Sequence, residues 1–231
     1  MTKVSLIWHG HSCFSIGCSG YSLILDPYKS EMIGYPPLCV KAHVMLSSHQ
    51  HEDHNYRPAV DFQPAPNNLL QQLSLDDEWP GQTGGDTVFY YKILPTKHDD
   101  AGGRKRGDNS IHIIDVCGFR IAHMGDLGHM LNPQQQSYLR NLDMLLVPVG
   151  GYYTIDAKQA YETVLQLNPR NVVPMHFIDQ YGDLNISTVD PFVRLIEHDF
   201  QIKQVDGYEI TYSGNTRNIC YFFKKLKLHE D

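Results

Sequence analysis

The sequence predicts a mixed α+β fold in which strands come first and strands and helices mix later. Three observations carry that expectation. The first third divides into short runs of β-branched and aromatic residues joined by glycine-containing links. Similar runs resume at Thr87, and apolar residues at helical period appear only beyond residue 132. In order, strands are expected at Lys3–Trp8, Cys13–Ile16 and Tyr21–Leu25, arranged as a meander, followed by Ala42–Ser48. Residues 56–85 carry four prolines and many Gln and Asn, so they read as a long loop with one short helix at Asn68–Leu73. Strands follow at Thr87–Leu94, from Ser110 and from Phe119. Asn132 is placed to cap a helix that has Pro133 at its first position. Asp156–Leu167 has apolar positions near helical period, and Asp190-Pro191 opens a helix to about His198. Asn171–Met175 and Ile219–Phe223 read as late strands. A length of 231 residues fits one domain spanning 1–231.

Net charge is −7 and no block of basic residues occurs, which argues against duplex nucleic acid as a partner and for a small-molecule substrate. Five cysteines without paired spacing read as buried reduced thiols, which fits a cytoplasmic protein. The N-terminus lacks a basic region followed by an apolar run, and no apolar stretch approaches ~18 residues, so neither a signal peptide nor a membrane span is expected. Oligomeric state is left open.

The most informative segment is Ser47-Ser48-His49-Gln50-His51-Glu52-Asp53-His54. His49 and His51 are two apart, so in an extended chain both rings leave the same side and can grip one metal ion. Asp53 and His54 are adjacent, and a turn after them aims them at a second position. Imidazole with carboxylate is a donor set for zinc, with manganese or iron as alternatives.

This His-x-His-x-Asp-His pattern resembles that of the metallo-β-lactamase superfamily. The superfamily has three further ligands in a fixed order, and each has a counterpart just after a strand-like run: His98, Asp126 and His176. The resemblance implies that His49, His51 and His98 hold a first ion, that Asp53, His54 and His176 hold a second, and that Asp126 bridges them. The runs 8–14, 104–109, 125–129, 148–154 and 174–176 are similar to a branch of small stand-alone metal-dependent hydrolases related to lactonase-like and phosphodiesterase-like members. The implied fold is a four-layer αββα sandwich of two mixed sheets flanked by helices, with the metals at one edge.

The reaction implied is hydrolysis of an ester-like bond (phosphodiester, lactone or thioester) by a hydroxide held between two ions, with Asp53 and Asp126 orienting it. His129 either acts on the leaving group or substrate, or is structural. Arg104 and Arg106 either receive an anionic substrate or are solvated charges. Tyr153 follows a Gly-Gly turn and either reaches the pocket or is buried, whereas His11 and His123 read as supporting or packing residues. Two other functions compete. A diiron oxidoreductase would usually have Glu in place of His51 and an attached flavin domain, and a non-catalytic metal-dependent sensor would have no need of a complete ligand set. Asp126 in the bridging position argues against a zinc β-lactamase.

Overall fold

The computed structural model describes residues 3–80, 87–224 and 226. Its N-terminal sheet is built from β1 (Val4–Gly10), β2 (Cys13–Cys18) and β3 (Tyr21–Leu25), which pair antiparallel in sequence as a meander. A short helix, α1 (Ser30–Ile33), follows. The expected strand into the histidine cluster is broken at His43 into β4 (Val40–Ala42) and β5 (Val44–Leu46). Only β5 joins the sheet, parallel to β3, so the meander ends there and the fourth strand arrives by a crossover.

The segment expected to be loop contains β6 (Val60–Phe62), paired with β4, and β7 (Leu70–Gln72). The helix expected at Asn68–Leu73 is therefore a strand. Leu69 is buried, and Leu70, Gln71 and Gln72 pair in parallel with Phe89, Tyr90 and Tyr91. An open sheet edge offers a row of unpaired backbone groups, and pairing with it overrides the weak local helix preference. Residues 81–85 of that expected loop lie outside the described residues.

The larger sheet continues with β8 (Phe89–Lys97), β9 (Asp108–Val116), β10 (Phe119–His123), β11 (Met144–Pro148) and β12 (Asn171–Met175). Among these lie α2 (Pro133–Tyr138) and α3 (Ala157–Leu167), each opened by a capping box, Asn132 with Gln135 and Asp156 with Gln159. In α3 the buried residues Ala160, Thr163, Val164 and Leu167 follow helical spacing and turn one stripe inward. Then come α4 (Asp190–Ile196), β13 (Gln201–Val205), β14 (Glu209–Tyr212) and β15 (Ile219–Phe223). The eight-stranded order is β13-β15-β12-β11-β10-β9-β8-β7, and the five-stranded order is β14-β1-β2-β3-β5. The last part of the chain thus supplies an edge strand to each sheet. The architecture is the expected α/β sandwich of two mixed sheets flanked by a few helices.

Every residue of β11 and β12 is buried, as expected of parallel strands at the centre of a covered sheet. The sheets share one apolar core, and Trp8 is stacked on Phe177 at a centroid distance of 5.6 Å. A disulfide joins Cys18 at the end of β2 to Cys117 in the β9–β10 turn. This corrects the reading of all five cysteines as reduced thiols, and it removes that argument for a cytoplasmic location. No local spacing marks the pair, because its members lie 99 residues apart and meet only when the sheets pack. Cys13 and Cys220 are buried thiols, and burial pushes Cys220 up to about 12. Among the described residues no helix is long and apolar enough to cross a membrane.

Candidate metal centre

The histidine cluster is fixed by one buried carboxylate. Asp26 follows β3 and has no exposed surface. Its Oδ1 accepts the Ser48 backbone N–H at 2.7 Å, and its Oδ2 accepts the Ser48 hydroxyl at 2.6 Å. His54 Nδ1 lies 2.8 Å from the same Oδ2. Burial alone would raise the Asp26 pKa, but His123 and His54 outweigh it and hold the group well below the usual carboxylate range. An ionised Asp26 can only accept, so Nδ1 of His54 is the donor and its Nε2 is the atom left facing Asp126. The same logic passes to His49. The Ser48 hydroxyl proton is committed to Asp26, so Ser48 Oγ, 2.9 Å away, accepts from His49 Nδ1. The Nε2 of His49 is then a lone-pair donor, buried and without a partner.

The turn carrying Asp53 and His54 is closed by backbone bonds from His54 and Asn55 to the His51 carbonyl, at 2.9 and 2.8 Å. Asn55 receives the Ser47 hydroxyl at 2.9 Å and donates to Gln50 at 2.7 Å. Gln50 is therefore a staple of the turn. On the other sheet, Asp126 is clipped by Asn109, whose Oδ1 accepts the Asp126 N–H at 2.9 Å while its amide donates to Thr96 and Met124. Gly125 has φ of 53°, and a Cβ there would lie 2.3 Å from Cβ of Ser48. It allows close approach to Ser48 and Asn109. The Ser110 N–H reaches the Ser48 carbonyl at 2.8 Å, joining the two halves of the site.

These supports bring six of the expected residues close together. Nε2 of His54 stands 3.2 Å from Asp126 Oδ1, while Nε2 of His98 and His176 stand 3.2 and 3.3 Å from Oδ2. His49, His51 and His98 form one group whose donor atoms all lie within 4.8 Å of one another, and His49, His54 and Asp126 form another. Asp53 is half-buried, its Oδ2 3.9 Å from His54 Nε2 and its Oδ1 without a partner. Burial would raise Asp126, but His176 and His54 drive it well below its usual range. Burial would lower His54, but Asp126 and Asp26 overcome that and hold it up. His49, desolvated and beside His54, falls to about 3. Buried carboxylate and unpartnered imidazole nitrogens converging at these spacings fit divalent cations.

Other expectations fare differently. His129 does not face the cleft: Nε2 accepts the Lys97 N–H at 3.1 Å and Nδ1 lies 2.9 Å from the Met130 carbonyl. Both ring nitrogens are spent on backbone, which corrects the expectation of a role at the leaving group. His123 is likewise satisfied, by Ser12 O and the Gly125 N–H. His11, expected to be a supporting or packing residue, lies inside the cluster with both ring nitrogens buried and unpartnered. It comes from the β1–β2 turn, and no local spacing marks it. Over the site opens a cleft of about 540 Å³ whose walls include Met32, Asp53, Arg106, Tyr153 and Leu184. The Arg106 guanidinium lies 5.4 Å from the Tyr153 ring centre and 5.8 Å from that of Tyr152. Its backbone is set by Asp99, which accepts the N–H groups of Ala101, Gly103, Lys105 and Arg106. Arg104 is exposed and outside the cleft.

A family model described as a beta-lactamase superfamily domain matches residues 5–176. The chain belongs to that superfamily. A UPF0173 metal-dependent hydrolase of Thermoplasma acidophilum is 27% identical over 208 residues, covering 83% of this chain and 89% of the relative. Among solved structures, a candidate zinc-dependent hydrolase of the metallo-beta-lactamase superfamily from Thermotoga maritima is 28% identical. It has a TM-score of 0.69 and covers 95% of this chain and 98% of its own. A metallo hydrolase from Ignicoccus hospitalis, 20% identical with a TM-score of 0.62, covers 91% of this superfamily member and 99% of its own chain, and shares its fold.

Proposed function

We propose that this metal-dependent hydrolase of the metallo-beta-lactamase superfamily holds two divalent ions, zinc foremost, and cleaves an ester-like bond in an anionic small molecule. The observation that carries the reading is the position of Asp126. Its Oδ2 lies between His98 of the first donor set and His176 of the second, while Oδ1 faces His54. A carboxylate shared in this way is placed to bridge two ions. His49, His51 and His98 would hold one ion, and Asp53, His54 and His176 the other. When bound, the pair supplies hydroxide at neutral pH and Lewis acidity toward the oxygen of the scissile bond.

The protein's own part is orientation. Asp26 and Ser48 hold Nδ1 of His54 and of His49, so that each ring turns its Nε2 into the site. Asp53, on the cleft side, is placed to accept a proton from water or to orient it. Arg106, flanked by Tyr152 and Tyr153 at the cleft wall, is placed to receive a phosphate or carboxylate of the substrate.

The test is metal content of the purified protein combined with hydrolysis of bis(p-nitrophenyl) phosphate and a simple lactone. Two ions per chain and chelator-sensitive turnover are expected. Two ions with no turnover across a broad panel would favour a metal-dependent sensor, and a folded protein that takes up no ion would refute the reading.

A further inference from the structure

We infer that His11 is a ligand of the second metal ion. The inference rests on the two-ion reading above. His11 is 1% exposed, and neither ring nitrogen has a hydrogen-bond partner. Burying polar atoms unpaired is costly, so a ring left this way calls for a partner. The neighbours show what partner would suit it. Its ring centre is 4.3 Å from that of His176 and 5.1 Å from that of His54, the two histidines expected at the second ion. One nitrogen from each of His11, His54 and His176 lies within 4.8 Å of the others, and all three residues are buried. His11 makes no hydrogen bond to either of these rings. A cation among them satisfies all three.

The backbone places His11 there at a cost. His11 has φ of 52°, and so has His176. A non-glycine residue rarely adopts this conformation, and it persists only where the surroundings impose it. Here the His11 carbonyl accepts both Trp8 Nε1–H, at 3.1 Å, and the His176 N–H, at 3.3 Å. The two left-handed histidines are thus tied to each other, and β1–β2 is tied to the end of β12. Gly10, with φ of 109°, has Tyr35 packed where a Cβ would stand, 2.7 Å away. The turn is therefore held against the cluster from three sides.

An added imidazole would shift the second site from a mixed carboxylate–imidazole set toward a nitrogen-rich one. Such a set favours zinc over manganese, which prefers oxygen. It also lets Asp53, more exposed than Asp26 or Asp126, face the cleft.

The test uses wild-type and His11→Asn protein, stripped with chelator and titrated with zinc against a chromophoric competitor. Asn tolerates the left-handed backbone better than most residues. Two ions are expected in wild type. In His11→Asn one ion should be kept with its affinity unchanged, while the other should lose roughly tenfold or more in affinity and part of its preference over manganese. Unchanged affinity for the second ion in a folded variant overturns the inference and leaves the two-ion reading standing. Fewer than two ions in wild type overturns that reading and the inference with it. If His11→Asn does not fold, ring-¹⁵N-labelled histidine in wild-type protein decides the question. One His11 nitrogen should move to a zinc-bound shift on adding zinc, and two unmoved nitrogens would overturn the inference.

Discussion

Replacing Asp26 with Asn should weaken the proposed second-ion site without replacing any of its ligands. Asp26 accepts three hydrogen bonds on two oxygens, from Ser48 N, Ser48 Oγ and His54 Nδ1. An Asn side chain has one oxygen. If that oxygen serves the Ser48 N–H, the amide N–H₂ faces the His54 Nδ1–H and the Ser48 hydroxyl, donor against donor. His54 relieves the conflict only by accepting on Nδ1, which moves its proton to Nε2, the atom that faces Asp126. If the amide is flipped, the conflict moves to the Ser48 N–H. Breaking a buried charged pair in this way costs about 3–5 kcal/mol. Loss of a partner that orients a ligand costs 10–100-fold in metal affinity, so zinc should bind at least about tenfold more weakly. The stability deficit should also depend on pH. The Asp26 pKa is lowered in the folded protein. Its contribution is therefore complete above the ordinary carboxylate value of about 3.9 and fades as pH falls through the lower folded value. Urea unfolding of the zinc-free proteins should show the full difference at pH 7 and a smaller one as pH falls below about 4. A variant within about 1 kcal/mol of wild type, well below the cost expected for such a pair, that also binds zinc as well as wild type would refute this account of the site.

Gly125→Ala should destabilise by about 2–4 kcal/mol, since its Cβ would collide with Ser48 and Asn109 and φ is positive there; thermal denaturation checks this. Reducing the Cys18–Cys117 disulfide, which closes a loop of 99 residues, should cost up to about 4–5 kcal/mol; urea unfolding with and without reductant, or of a doubly Ser-substituted chain, measures it. Arg106→Ala should raise KM about tenfold or more for an anionic substrate with kcat nearly kept, and Arg106→Lys should recover little because the planar fork and its stacking are lost; steady-state kinetics on charged and neutral esters separates the two. Asp99, which burial would raise, is lowered to about 2 by the N–H groups of Arg106, Ala101, Lys105 and Gly103. The loop it organises should therefore stay ordered above about pH 4 and loosen as pH falls toward 2, and amide exchange of those four residues follows it.

Much of the site was legible in the sequence because ligands for one metal recur at short spacing or at the ends of strands, and both patterns survive in one dimension. His49, His51, Asp53 and His54 lie in one turn. His98, Asp126 and His176 each follow a strand whose composition announces it. What supports them was not legible. Asp26, Asn109 and Ser48 are ordinary polar residues until two sheets close over them, and Gly128 is needed because a Cβ there would meet the backbone of His98 at 2.3 Å. The same limit explains the errors in the fold. The strands β7 and β13 have no apolar alternation to read, since both exist by pairing with an edge. The disulfide and His11 are the sharpest cases. Each is decided by residues far apart in sequence that meet on opposite sheets, so spacing could not reveal Cys18 with Cys117 or His11 with His176. Sequence reasoning therefore finds the atoms that would bind the ions, while the packed structure shows what sets their tautomers, and with them the affinity of the site. A redesign that copied the seven expected ligands without Asp26, Ser48 and Asn109 would reproduce the motif but not the centre.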